Sequence, residues 1–311
     1  MRFVVVMDPP ETVILEADTS FALMYEAQQR GHDIDHCLVS DVFLQQGRLG
    51  AWVHKATLQQ RVEQPMLLSE RQSVWLDEVD AVLVRKDPPF NAHYYWMTLL
   101  LEHLRGKTLV VNDPQGLRDA NEKLFACHFP ALMPETLVTS DIPSIRKFVE
   151  EVGGHAVIKP LDGAGGSGVM ALRMGDSNFN AIVETATQNG QCLSMVQRYL
   201  QAVVEGDKRI LLLDGEPLGA ILRVPQQGDL RSNLHVGGRA EAATLDTHDH
   251  HIVSTIKDFL KKHGLYFVGI DVIGGKLTEI NVTSPTGIQQ MSRMMQENLS
   301  HKVIDWIERK V

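Results

Sequence analysis

The chain has 311 residues, 44% hydrophobic and 22% charged, a composition that suits a folded protein with a sizeable core and excludes disordered and collagen-like classes. Its formal net charge of −9 repels phosphate backbones at long range, so nucleic acid is not an expected partner and any anionic substrate must be met by a local cluster of Lys, Arg or metal. Cys37, Cys127 and Cys192 share no CxxC spacing and no apolar run approaches the ~20 residues of a membrane span, so we expect reduced thiols, no zinc site, no membrane partner and a cytoplasmic location.

Residues 3–7 form an apolar run too short for a signal peptide and read as a first buried strand. Asp18, Thr19 and Ser20 offer N-caps for a helix whose apolar face includes Phe21, Met24 and Ala27, and Gly31 ends it. A strand at 81–84 runs into Arg85, Lys86, Asp87, Pro88, Pro89 and Phe90, where the prolines forbid a helix and hold an extended loop of charges. That loop stands at the carboxyl end of a strand, where open α/β sheets bind ligands. Residues 109–111 read as another strand and 112–116 as a loop. Alternation of this kind predicts a parallel α/β layer. From about Asn121 hairpins dominate, so we expect an N-terminal α/β domain over 1–121 and a second unit over 122–311, divided into 122–200 and 201–311.

The first of those hairpins carries Gly163, Ala164, Gly165, Gly166, Ser167 and Gly168, a literal GxGxxG. A dinucleotide fingerprint needs a helix straight after the loop, whereas Val169, Met170, Ala171 and Leu172 read as a strand. No Lys-Ser or Lys-Thr pair follows Gly168, which excludes a Walker A loop. Two readings remain: backbone N–H groups free to cover phosphates, with Lys159 just ahead as a cation, or a hairpin tip with no ligand.

Residues 208–213 and 218–223 flank the turn signal Asp214, Gly215, Glu216, Pro217. Residues 267–273 and 277–282 flank Gly274 and Gly275. If that loop is three residues, Asp271 faces Glu279, Gly269 faces Asn281, and the polar side chains share one face while Val268, Ile270, Val272, Thr278, Ile280 and Val282 share the other. Opposed carboxylates repel, and a cation between them relieves the repulsion; with oxygen ligands alone it should be hard, as Mg²⁺ is. A two-residue loop would put Asp271 and Glu279 on opposite faces and leave an ordinary solvated hairpin. His248, His250 and His251 lack HExxH spacing and read as a solvent-facing helix start.

Taken together, these stretches resemble the bacterial glutathione synthetases over almost the whole chain. The resemblance rests on MDP followed by DTSFALMYEAQQRG, on RKDPPF, NDPQGLRDANEKLFA, KPLDGAGGSG, GDKR and GGR, and on FVGIDVIGGKLTEINVTSPTG, of which RKDPPF and TEINVTSPTG are the most specific. It implies an ATP-grasp fold, two α+β subdomains holding ATP, preceded by an N-terminal α/β domain that helps bind a peptide. It further implies that Lys123, Lys159, Gly163, Gly165, Gly166, Ser167, Gly168, Gln197, Arg198, Tyr199, Leu200 and Asp207 serve ATP, and that Asp271, Glu279 and Asn281 hold metal. That metal would be Mg²⁺ as two ions, with Mn²⁺ as the alternative. Arg209 and Arg223 would face the reacting phosphate, and Ser20, Arg85, Lys86, Ser284, Pro285 and Thr286 the peptide. The implied reaction joins γ-glutamylcysteine to glycine, and the implied assembly is a homo-oligomer. The chain departs from the family before the first helix, where Glu16, Ala17, Asp18 stand in place of the KKD of KKDSSFAM, in GAGGSG for the usual GMGG, and in QQGDLRSNLHVGGRA.

The chemistry requires activation, because a free carboxylate is a poor electrophile until ATP converts it to an acyl phosphate. Water must then be kept away. The expected lid is 225–239, with Gly228, Gly237 and Gly238 and the charges of Arg231 and Arg239. The competing readings are a different ATP-grasp carboxylate–amine ligase and a nucleotide-binding sensor without chemistry.

Overall fold

The computed structural model describes residues 1–226 and 237–311. Three sheets follow one another along the chain. The first contains β1 (Arg2–Met7), β2 (Asp33–Cys37), β3 (Val42–Gln45), β4 (Arg48–Leu58), β5 (Met66–Trp75), β6 (Ala81–Arg85) and β7 (Leu109–Val111). Its order is β3-β4-β2-β1-β6-β7, with β5 on β4. β1 is central because Phe3, Val4, Val5, Val6 and Met7 are apolar on both faces, as a strand covered by helices on both sides must be. Phe3 and Val5 meet α1 (Thr19–Gln29), while Val4 and Val6 meet α2 (Ala92–Leu101) and α3 (Pro114–Asp119). The expected cap of α1 is present: the Asp18 side chain accepts from Phe21 N, and Gly31 follows the last turn at φ 80°.

Two expectations need correction here. The layer is parallel only in β2-β1-β6-β7; β3, β4 and β5 form an antiparallel meander beyond it. Residues 112–116 are not all loop: Pro114 opens α3, and Asp113 caps it by accepting from Gln115 N and Gly116 N. Proline fits there because the first helical N–H has no intrahelical partner anyway.

The second sheet is antiparallel, in the order β10-β9-β11-β8, from β8 (Thr136–Thr139), β9 (His155–Pro160), β10 (Met170–Arg173) and β11 (Ser194–Arg198). With α4 (Ile142–Glu151) and α5 (Phe179–Ala186) it buries Ile145, Val149, Phe179 and Val183 in a small core of its own. The third sheet is β14-β13-β12-β15-β16, from β12 (Asp207–Leu213), β13 (Glu216–Val224), β14 (Arg239–Ala242), β15 (Phe267–Ile273) and β16 (Lys276–Asn281). α6 (Thr247–Lys262) covers one face of it; α7 (Ile288–Met295) and α8 (Leu299–Lys310) cover part of the other. Its cores run into those of the first sheet, and buried Asn112 ties the two, donating to Phe267 O and Val282 O and accepting from Tyr266 N and Phe267 N.

The hairpin of β15 and β16 combines both loop lengths considered above. Ile273 pairs with Lys276 across the two-residue turn Gly274-Gly275, yet Asp271 still pairs with Glu279 and Gly269 with Asn281. A β-bulge between those pairs leaves Thr278 as the extra residue, and its hydroxyl donates to Asp271 O at 3.1 Å. No helix among the described residues is long and apolar enough to cross a membrane.

Candidate active site

A cleft of about 760 Å³, counting its mouth open to solvent, lies between the second and third sheets. Val157, Lys159, Gly166 and Val169 come from the second sheet and its glycine loop. Asp207, Asp271, Ile273, Thr278 and Glu279 come from the third, Gln197 and Arg198 from the end of β11, and Tyr199 and Leu200 from the segment that follows it.

Period-two alternation in the third sheet builds the polar floor. Arg223 stands opposite Asp207, Arg209 opposite Asp271, and Asp271 opposite Glu279, so one face carries a row of charges across β13, β12, β15 and β16. The row closes by ion pairing. Asp271 takes Arg209 through two nitrogens and Arg223 Nη2 at 3.0 Å, and Asn281 Nδ2 donates to it at 3.3 Å. Arg223 also bonds Asp207. Gly269 leaves room for this: a Cβ there would stand 3.3 Å from Arg209 Cδ and 3.0 Å from Pro285 Cβ. Burial pushes the Asp271 carboxyl up, but Arg209 and Arg223 outweigh it and hold the group well below the usual carboxylate range. For Asp207 burial prevails over Arg223 and pushes the carboxyl up to about 6.

The expected repulsion between Asp271 and Glu279 is therefore relieved from within the chain. Arginines hold Asp271, while Lys123 and Lys159 stand 3.9 and 3.8 Å from Glu279. Lys123, nearly buried, donates to Glu122 and to Gly163 O, the start of the glycine loop, and Asn121 Nδ2 donates to Leu161 O at 2.9 Å. Burial and the Glu279 charge push the Glu122 carboxyl up, against Lys123. Glu122, Asp207, Asp271 and Glu279 thus stand among the cations Lys123, Lys159, Arg209 and Arg223.

The glycine loop joins β9 to β10, so it leads into a strand, as expected. Gly165, Gly166 and Gly168 have φ of 62°, 81° and 73°, which favours glycine at each. Gly166 is the loop residue that lines the cleft; Gly163 is tied to Lys123, and Gly165, Ser167 and Gly168 are not part of the lining. Gln197 is buried and bonds Thr136, whereas the Arg198 guanidinium turns out to Glu135 at 2.9 Å.

Ser20, Arg85, Ser284, Pro285 and Thr286 also come together. Arg85 is not on an open loop of charges: it ends β6, is buried, and donates to Ser20 Oγ and to Pro285 O, each at 3.0 Å. Ser284 Oγ donates to Arg85 O, and Arg209 Nη1 donates to Thr286 O at 3.4 Å, which links this cluster to the charged row. Lys86 pairs with Asp8 at 2.9 Å. Of the expected lid, Arg231 and Gly228 lie outside the described residues. Gly237 O accepts from Gln226, Gly238 follows it, and Arg239 opens β14, its exposed guanidinium on Glu241 rather than over the cleft. His248, His250 and His251 are exposed on the first turn of α6.

The oxygen-bearing side chains of Asp271, Glu279 and Asn281 suit a hard divalent cation, although Asp271 is taken up by Arg209 and Arg223 and, among the described residues, no three His, Cys, Asp or Glu side chains are grouped as a metal site. Glu122 was missed by the sequence reading; its only signal was adjacency to Lys123. Residues 1–118 match the family described as prokaryotic glutathione synthetase, N-terminal domain, and residues 122–296 its ATP-grasp domain. A glutathione synthetase of Synechocystis sp. is 44% identical, with 100% of both chains covered, and one of Vibrio parahaemolyticus is 43% identical over 99% of this chain and 98% of that one. In three dimensions the chain is similar to a D-cycloserine synthetase (TM-score 0.70, 13% identity, 98% and 99% covered). It is also similar to the D-alanine–D-alanine ligase of Bacillus anthracis (TM-score 0.60, 13% identity, 99% and 96% covered), and at such identities these two likenesses carry the ATP-grasp fold alone. With both domains matched and relatives this similar over their full length, the chain belongs to the prokaryotic glutathione synthetase family, whose ATP-grasp enzymes use ATP and a divalent metal.

Proposed function

We propose a division of labour among these residues for the ATP-dependent ligation that joins γ-glutamylcysteine to glycine, giving glutathione, ADP and phosphate. The observation that carries it is the row of Arg223, Asp207, Arg209, Asp271 and Glu279 along one face of one sheet, at the floor of the cleft. ATP lies with its base against residues 197–200 and its phosphates between the glycine loop, Lys159 and Lys123. Asp271, Glu279 and Asn281 would hold the metal, which we read as two Mg²⁺ ions, with Mn²⁺ as the alternative. Bound there, magnesium would neutralise phosphate charge.

Arg209 and Arg223 face the phosphoryl group as it passes to the peptide carboxylate. Among the described residues the buried Arg223 Nε has no hydrogen-bond partner, which leaves a donor for a phosphoryl oxygen. The glycine amine then attacks the acyl phosphate carbon, the C–N bond forms and phosphate leaves, with Arg223 stabilising the oxyanion. Arg85, Ser20, Lys86 and residues 284–286 seat the peptide next to that row, through Arg209 and Thr286. Residues 1–121 act as the peptide-binding domain, 122–200 as the mobile half of the nucleotide clamp, and 201–311 as the metal and catalytic half. We also read the chain as a cytoplasmic homo-oligomer: its cysteines are unpaired, and α2 presents Tyr95, Trp96 and Leu99 outward with no charge among them.

The test is phosphate release from ATP with pairs of acids and amines. γ-Glutamylcysteine with glycine should exceed every other pair, including D-alanine with D-alanine. A better alternative pair would overturn the substrate assignment, and release independent of any amine would overturn the ligation.

A further inference from the structure

We propose that His155 is a positioning residue for the nucleotide, acting through Tyr199; the proposal rests on the reading of the cleft as the ATP site. Tyr199 is the first residue past the paired residues of β11, and His155 holds both its ring and its backbone. The imidazole, on the first residue of β9, lies flat on the Tyr199 ring with centroids 3.8 Å apart and planes at 16°. Tyr199 N also donates to His155 O at 3.1 Å. From the neighbouring strand Arg173, cross-strand partner of His155, donates through Nε to His155 Nε2 at 3.3 Å. Arg173, His155 and Tyr199 thus form a short train anchored in the second sheet. Its last member lines the cleft, where the chain crosses to the third sheet.

None of these contacts serves the phosphates, the metal or the peptide. What the train does is fix one wall of the base pocket before the nucleotide arrives. Ligand binding to a wall already held loses less free energy to ordering, so the stack should be felt in nucleotide affinity. It should not be felt by substrates that bind elsewhere. A stacked aromatic pair of this kind corresponds to an effect of about 3- to 10-fold.

The experiment compares His155→Ala, His155→Leu and His155→Phe in the full chain. KM for ATP, for γ-glutamylcysteine and for glycine is measured with kcat, and a non-hydrolysable ATP analogue is titrated calorimetrically. Because the titration does not depend on which acid and amine are joined, it separates this proposal from the substrate assignment. His155→Ala and His155→Leu should each weaken the analogue and raise KM for ATP by about 3- to 10-fold. The other two KM values should stay where they are, and His155→Phe, which keeps a flat ring, should recover most of the loss. Leu retains bulk without a planar face, so it decides the matter even if the Ala variant does not fold. Unchanged ATP affinity in the Leu variant, a Phe variant no better than Leu, or an equal rise in all three KM values would each overturn the proposal.

Discussion

Replacing Glu279 by Gln removes one charge and leaves the shape of the side chain almost unchanged. Its carboxylate is 21% exposed, and its nearest cations, Lys123 and Lys159, stand 3.9 and 3.8 Å away, beyond a good hydrogen bond. Lys123 keeps Glu122 and Gly163 O without it. The loss to folding should therefore be at most about 1 kcal/mol, a shift in Tm of about 2–4 °C. Turnover should fall far more, by about 10²–10³, because a carboxylate that would hold the phosphate-neutralising metal is gone. Asp271→Asn should behave differently. That carboxylate is 3% exposed and holds both arginines, so its removal leaves buried guanidinium charges uncompensated, at about 3–5 kcal/mol. Thermal melts alongside phosphate release over a magnesium series separate the two. Normal turnover of Glu279→Gln at low magnesium, or a melt as low as that of Asp271→Asn, would refute the reasoning.

Lys159→Ala should weaken an ATP analogue by about 10- to 100-fold in calorimetry, since it deletes a nearly buried cation lining the cleft; unchanged affinity would make the lysine structural. Arg85→Lys keeps the charge but loses the fork that reaches both Ser20 and Pro285, and should raise KM for the peptide while leaving KM for ATP alone. Asp207 tests the electrostatics through pH. Its folded carboxyl titrates at about 6 against an ordinary value of 3.8, so the unfolded chain gives up its proton first, and wild type should lose stability relative to Asp207→Asn as pH rises from 4 to 6. Beyond a constant offset, the Tm difference should be flat below 4 and above 6; wild type gaining stability relative to Asp207→Asn over that interval would reverse the assignment.

What the sequence made legible were features set by near neighbours. Asp18 and Gly31 bracket α1 as their chemistry requires, and the strand after Gly168 distinguishes this glycine loop from a dinucleotide fingerprint. What it hid depends on distant partners. β5 is exposed along most of its length and shows no apolar alternation to betray it, so the meander escaped the parallel reading. RKDPPF looks like a solvated loop until Ser20 and Pro285 close over Arg85. That Arg209 sits beside Asp271 is set by the pairing of β12 with β15, strands separated in the chain by β13, β14 and α6, and no local pattern announces their adjacency. The family resemblance supplied those residues as candidates, and the sheet supplies the reason they meet.

The bulge at Thr278 changes what protects the face shared by Asp271 and Glu279. Between Asp271 and Glu279 lie the seven residues 272–278, and a three-residue turn with a regular ladder or a two-residue turn with one bulged residue use up the same number. Both arrangements bring the two carboxylates opposite each other, so they are alternative foldings of one fixed length that agree at the point where function is read. The opposition of the two carboxylates is therefore set by the number of residues in the hairpin, whichever way they divide between turn and strand. The division seen here falls to the two glycines, whose φ of 56° and 74° strain any other residue.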